Sequence, residues 1–458
     1  MKNYILNKKY WASITIIVMM FVSMLFNACD NNDSSDGGPI TISKVFLEDV
    51  NSSVPDREVS FARLGQLIRV EGTGFTGLKK VYINGFETYF NVVFVSDTSM
   101  LISISKNTPT IDADPAVRNT IRFVNDSNEA VFAFNIRSAA PKIISISNTM
   151  PKAGEVITVS GTGLTEVKKV VFPGNIEVTN GITSDVKGEF FTVTMPAGVS
   201  AEGGSLLVES ANGGVYSPAY FNFKKGVILD FDGLGSHGYW GSGTSMIQPA
   251  DLLSTAAGTG NVSQGKYVPH RPARIASFAA ATNRCSETWT AGNGVDNWRA
   301  QLTPYIPAST PLDQVALQFD IYVPTAWTNT GFLKICLINN FNGGEWTGAT
   351  YNYVPWITSE GKVVPFQTTG WQTVTIPLNK LYSFSKAAFT FDDVLKAREA
   401  ATYQNFGFFF ENSDVKLTNV TGQASEAVFA SSATSVSVST DNWRIVSLKT
   451  PTYSDFPN

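Results

Sequence analysis

Eight tryptophans lie beyond residue 225, and none occurs between residues 30 and 225. They are Trp240, Trp289, Trp298, Trp327, Trp346, Trp356, Trp371 and Trp443, and many tyrosines accompany them. Aromatic rings offer flat apolar faces beside polar tips, a chemistry that matches the C–H faces of pyranose rings and needs no charge. A charge-poor, tryptophan-rich segment therefore suits a neutral glycan. Trp371 and Trp443 sit in alternating, strand-like patterns and are expected in the core. Trp289, Trp298, Trp346, Tyr351, Tyr353 and Trp356 fall in stretches rich in Gly, Asn and Thr, and form the expected sugar platform. Specific sites add a few convergent polar groups. Asn342 and Glu345 are the main candidates, with Asn283, Arg284, Glu287, Asp296, Asn297, Arg299, Asn339 and Asn340 around the same rings.

Other chemistries are poorly served. A glycosidase needs two carboxylates flanking the scissile bond, and Glu287, Asp296, Glu345 and Glu411 are available for such a pair, but none sits in a catalytic pattern. The two histidines, His237 and His270, are too few and isolated for a zinc site, and no serine elbow or phosphate loop occurs. We expect a binding protein, not an enzyme; a surface glycoside hydrolase and an adhesin for protein ligands are the alternatives. The net charge of -4 supplies no basic field for phosphates, which argues against nucleic acid.

The elements that would position these rings read as strands. Val227–Asp232, Val315–Val323, Trp371–Leu378, Phe406–Phe410 and Thr440–Val446 are apolar or alternating. Only 16% of the 458 residues are charged, while Thr, Ser, Val, Asn and 37 glycines are plentiful, so helices should be few. Cys336 lies inside an apolar strand as a small hydrophobe, and a bridge to Cys285 is permitted but not implied.

The segments Trp371-Gln372-Thr373-Val374-Thr375-Ile376-Pro377-Leu378 and Asp441-Asn442-Trp443-Arg444-Ile445-Val446 resemble strands of β-jelly-roll carbohydrate-binding modules. That resemblance implies one structural Ca²⁺ held by carboxylates of the first and last strands, here Asp230 or Asp232 with Asp441; no organic cofactor is expected. A lipobox ending at Cys29, an acidic tether over Asp30–Asp36, tandem immunoglobulin-like copies at 40–138 and 139–224, and a C-terminal domain containing Tyr351-x-Tyr353-Val354-Pro355-Trp356 and Gly370-Trp371 form a layout similar to the surface glycan-binding lipoproteins of Bacteroidetes polysaccharide-utilisation systems that carry a xyloglucan-binding-type C-terminal domain. It implies a plant polysaccharide as ligand, xyloglucan or a related β-glucan or β-mannan. It also implies an outer-membrane transporter and that transporter's glycan-binding lipoprotein as partners.

Ahead of this region the chain repeats. Gly65-Gln66-Leu67-Ile68-Arg69-Val70-Glu71-Gly72-Thr73-Gly74-Phe75 aligns with Gly154-Glu155-Val156-Ile157-Thr158-Val159-Ser160-Gly161-Thr162-Gly163-Leu164, Gly72 and Gly161 standing 89 residues apart. With Pro141-Lys142-Ile143 opening the second copy, these residues resemble the IPT/TIG immunoglobulin-like family, whose members usually serve as spacers. The N-terminus adds Lys2, Lys8 and Lys9, an apolar run from Trp11 to Phe26 and Phe26-Asn27-Ala28-Cys29, a secretory signal ending in a lipobox. Cys29 is then the lipidation site. An acidic tether behind it resembles the surface-export signal of Bacteroidetes lipoproteins, which implies the outward face of the outer membrane. The expected organisation is a signal peptide at 1–28, a tether at 29–39, immunoglobulin-like domains at 40–138 and 139–224, and a larger jelly-roll sandwich at 225–458. The expected fold class is all-β throughout.

Overall fold

A computed structural model describes residues 38–50, 54–239, 246–254, 265–270, 282–291, 296–339, 348–417, 427–430, 432–433 and 436–456. The signal peptide, Cys29 and most of the tether lie outside these residues. The chain is all-β and divides into two compact units, one ending at Ser138 and the other starting at Ala139. Among the described residues no helix is long and apolar enough to cross a membrane.

In the first unit, Thr41–Glu48, Leu67–Thr73 and Ser99–Ser103 form one sheet with Arg57–Glu58. Phe86–Thr88, Lys80–Ile83, Thr120–Val124 and Glu129–Ala133 form the other. The same plan recurs in the second unit, with Lys142–Ile146, Val156–Thr162 and Phe190–Thr194 on one side and Ile176–Val178, Lys169–Phe172, Leu207–Ser210 and Gly213–Tyr216 on the other. The repeated motif has one physical cause in both copies. A Cβ on Gly72 would run into the Thr41 carbonyl, and one on Gly161 into the Lys142 carbonyl, where the opposing strand bulges. Gly74 and Gly163 take positive φ of 80° and 69°, and the turn drops Phe75 or Leu164 fully into the core.

From residue 227 the chain builds a larger sandwich. Val438–Ser447 is its spine, flanked by Lys266–His270, Val227–Leu229 and Val315–Tyr322, with Gln372–Pro377 beyond. Facing it is a five-stranded sheet in the order His237–Gly238, Thr282–Thr290, Gly407–Asn412, Phe332–Cys336, Thr350–Tyr353. Phe319, Phe408 and Trp443 stack between the sheets at centroid distances of 4.2 and 4.1 Å. No disulfide joins Cys285 and Cys336, both of which are buried. A helix at Phe391–Ala400, which the composition did not announce, starts at a Thr390–Asp393 capping box and buries Phe391, Val394, Leu395 and Arg398.

The second immunoglobulin-like sandwich is welded to this larger one. A single hydrophobic cluster runs from Ile146 through Phe223 to Val446. At the junction, the fully buried Arg444 donates to Thr149 Oγ1 (2.7 Å), Asp320 Oδ1 (3.0 Å), Thr373 Oγ1 (3.1 Å) and Gln318 Oε1 (3.2 Å), and also to the Asn442 carbonyl. Thr373 in turn donates its N–H to Ser147 O at 2.8 Å. Past the last strand the chain returns to the second sandwich, where the Tyr453 ring lies over Gly214 with no room for a Cβ.

Candidate functional site

The outer face of the five-stranded sheet is the best-furnished surface of the larger sandwich. Its register aligns Gly238, Trp289, Gly407, Cys336 and Thr350 in one row across all five strands. Trp289 lies flat over Gly407, where any Cβ would strike the indole. It forms a small apolar cluster with Met246, Cys336 and Phe409, separate from the main core. Beside it Lys334 Nζ stands 3.5 Å from Glu411 Oε2, side chains 10% and 18% exposed. Ser413 donates to the other Glu411 oxygen at 2.6 Å, and the exposed Asn352 pairs across from Lys334.

The two edges of that row lead to the remaining aromatics. At one edge Phe231, His237 and Tyr239 form a chain of ring contacts at 5.3 and 5.8 Å. Tyr239 is 56% exposed and is followed by Trp240. At the other edge, Tyr351 is half-buried on the strand Thr350–Tyr353, and Ser383 donates its N–H to Gly348 O beside Tyr382, which is 70% exposed. Gly348 follows the stretch 340–347, so Asn342, Glu345 and Trp346, all expected in the platform, lie outside the described residues.

The structure corrects the rest of the expected platform. All six described tryptophans are at most 3% exposed, and none offers a ring face to solvent. Trp298 occupies the first turn of a short helix, Trp298–Leu302, capped by Asn297, whose Oδ1 accepts the Ala300 N–H at 3.0 Å. The Arg398 guanidinium lies 3.7 Å above its ring, and Arg398 Nη2 reaches Asp296 at 2.8 Å. Trp356 donates to Gly331 O at 2.8 Å and meets Phe429 edge-on. Tyr353 packs against Phe319, Trp327 and Phe366. Gly- and Asn-rich surroundings signalled loops, but in these places they supply caps, turns and space under a buried indole. The capping pattern at Asn297 was the one local clue.

The carboxylates considered for hydrolysis are spent on structure. Asp296 accepts from Thr290 Oγ1 (2.6 Å) as well as from Arg398. Glu287 accepts the Trp289 indole N–H (3.1 Å), and Glu411 faces Lys334. Arg299, expected near the sugar, pairs with Glu399 and Asp392 at 2.6 and 2.9 Å.

Two of the three carboxylates expected to hold calcium accept backbone hydrogen bonds. Both Asp232 oxygens accept the Lys266 N–H, at 3.0 and 2.9 Å, and Asp230 Oδ1 accepts from Asp232 and Leu234. Among the described residues no three acidic, histidine or cysteine side chains come together as metal ligands. Asp441 is nonetheless buried with both carboxylate oxygens unpartnered. Burial first, and then the nearby Asp320, Asp230 and Asp232, push its pKa well above the ordinary aspartate value. Burial disfavours its charged form, so the neutral isostere in Asp441→Asn should keep or raise the melting temperature at pH 7.5, and EDTA should leave wild type unchanged. A matched loss in both measurements would put a cation there.

Fold and site together define the class: a modular all-β chain whose terminal sandwich offers a sheet face bordered by aromatics, with no catalytic dyad among the described residues. Residues 221–447 match the family described as the surface glycan-binding protein B xyloglucan binding domain. An IPT/TIG domain-containing protein of Bacteroides ovatus is 26% identical over 256 residues, covering 56% of this chain. The match spans about half, 47%, of that relative's own length. Surface glycan-binding protein PbSGBP-B from Prevotella bryantii is similar in structure over 90% of this chain and 100% of its own, with a TM-score of 0.60 and 19% identity. An SGBP-B from a complex xyloglucan utilization locus in Bacteroides uniformis covers 89% of this chain and 99% of its own, with a TM-score of 0.46 and 16% identity.

Proposed function

We propose that this protein is a cell-surface lipoprotein that binds a neutral plant polysaccharide, xyloglucan or a related β-glucan or β-mannan, on the outer face of the five-stranded sheet. The family match over 221–447 carries the reading. In this reading Cys29 anchors the chain to the outward face of the outer membrane. The captured glycan is passed to an outer-membrane transporter and its glycan-binding lipoprotein, and the immunoglobulin-like domains act as spacers.

The burial pattern narrows the platform by elimination. Six of the eight tryptophans beyond residue 225 are at most 3% exposed, which leaves Trp240 and Trp346, next to the exposed Tyr239 and within a few residues of Gly348. Trp240→Ala or Trp346→Ala should weaken retention on xyloglucan affinity gels tenfold or more, as hot-spot aromatics do, with an unchanged melting temperature. Trp356→Ala should instead cost about 3–5 kcal/mol of stability as a core deletion. Full binding by both loop variants would move the platform off this face. Failure of wild type on xyloglucan, mixed-linkage glucan and mannan alike would overturn the function, and release of reducing ends would reinstate a hydrolase.

A further inference from the structure

The loop that joins the two sheets of the first immunoglobulin-like sandwich carries Tyr89-Phe90-Asn91-Val92-Val93-Phe94-Val95, seven residues without a charge. Its side chains point outward: Tyr89 is 84% exposed, Val92 71%, Val93 78% and Phe94 56%. Apolar residues gathered at a loop tip in this way mark a contact surface. The tip is held in shape, because Asn91 caps the short turn Val92–Phe94 by accepting the Val93 N–H at 3.0 Å, and Phe94 donates its N–H to Asn91 O at 2.9 Å.

Its position in the fold says what it faces. The loop leaves from Thr88, which pairs with Val81 next to the start of Lys80–Ile83, and returns at Ser99, which pairs with Glu71 near the end of Leu67–Thr73. Its returning limb bonds that end, through Gly72 N–H to Thr98 O at 3.0 Å and Phe75 N–H to Asp97 O at 3.3 Å. The chain enters the sandwich at this same end. Asn125 Nδ2 donates to Gly38 O at 3.1 Å, Gly74 lies against the Pro39 carbonyl, and Thr41 pairs with Thr73. Gly38 stands nine positions after Cys29, a tether of at most about 30 Å when fully extended.

We propose that the Tyr89–Val95 loop is a membrane-contact element: its apolar tip seats in the lipid surface to which the chain is tethered and fixes how the first sandwich stands on it. The proposal rests on the lipid-anchor reading for its orientation. Tyrosine and phenylalanine suit the boundary between headgroups and acyl chains, and firm attachment commonly combines a lipid with a second signal. Because the loop has no charge, its contact should be indifferent to salt and to anionic lipid.

The test uses the mature chain with Cys29→Ser, which removes the acyl chains, and large phosphatidylcholine vesicles. We expect vesicle co-sedimentation at least fivefold greater with the native loop than with Val93→Asp/Phe94→Asp, at low and high salt alike. A Phe94→Trp probe should shift its emission to the blue when vesicles are added. Equal sedimentation and an unmoved emission would overturn the proposal. So would a vesicle-free change of oligomeric state between native and Asp-substituted loops, which would make the surface an interface between copies. The anchor is tested separately: if the Cys29→Ser chain still fractionates with cell membranes when the loop is also substituted, the anchor reading fails, whatever the vesicle result.

Discussion

Replacing Arg444 with methionine should remove about 3–5 kcal/mol of stability from the unit that begins at Ala139, because it leaves the Asp320 carboxylate buried without its cation. Arg444 and Asp320 are at most 1% exposed, with Thr149, Thr373 and Gln318 filling the remaining hydrogen-bonding positions. Thr149 belongs to the immunoglobulin-like sandwich, while the others belong to the larger one. The substitution should therefore also loosen the coupling between the two. Urea unfolding of residues 29–458 followed by tryptophan emission isolates this unit, since every tryptophan after Trp11 lies beyond residue 225. Arg444→Met combined with Asp320→Leu should recover part of the loss, as buried ion pairs exchanged for apolar groups often do. A loss below about 1 kcal/mol for the single variant, or none of it regained by the double, would show that the network does not hold the sandwiches together.

Acid should destabilise the same unit through His270. Its ring is fully buried beside Phe408 and Phe410, with both nitrogens unpartnered, and burial pushes its pKa down from the ordinary 6.5 to about 3. Below pH 6.5 the unfolded chain takes up a proton that the native ring refuses, so stability falls as pH drops from about 6.5 to about 3. The slope is about 1.4 kcal/mol per pH unit, for a total on the order of 5 kcal/mol. Asp441 works in the opposite direction. Its raised pKa means that native stability increases as pH falls through its folded value toward the ordinary 3.8, which partly conceals the histidine. Urea midpoints at pH 7.5, 6, 5 and 4 should thus fall in wild type, fall more steeply in Asp441→Asn, and flatten in His270→Leu. Identical acid slopes in wild type and His270→Leu would refute the assignment.

Local sequence carried the parts of this protein whose causes are local. The Gly-Thr-Gly motif at 72–74 and 161–163 marks both immunoglobulin-like copies, because a crowded strand crossing and a positive-φ turn leave glycine as the residue that fits. Alternation of apolar and polar residues in Val315–Tyr322 and Val438–Ser447 reported strands, since successive side chains point to opposite faces, although both faces of each strand are buried. The segments Trp371–Leu378, Asp441–Val446 and Tyr351–Trp356 carried the resemblance to the family that matches at 221–447.

Which tryptophans meet solvent was decided only in three dimensions. Trp289 and Trp371 read differently in sequence, one as a platform ring and the other as core, yet both are buried, Trp289 over Gly407 and Trp371 against Tyr267 and Tyr322. Trp298 and Trp356 sit in polar stretches but are enclosed by Arg398 and Phe429, which lie 100 and 73 positions further along the chain. Burial depends on partners that the fold brings from far away, and no window of neighbouring residues contains them. The welding of two sandwiches by Arg444, the burial of the Asp441 carboxylate and the exposure of the Tyr89–Val95 loop have the same origin in long-range packing.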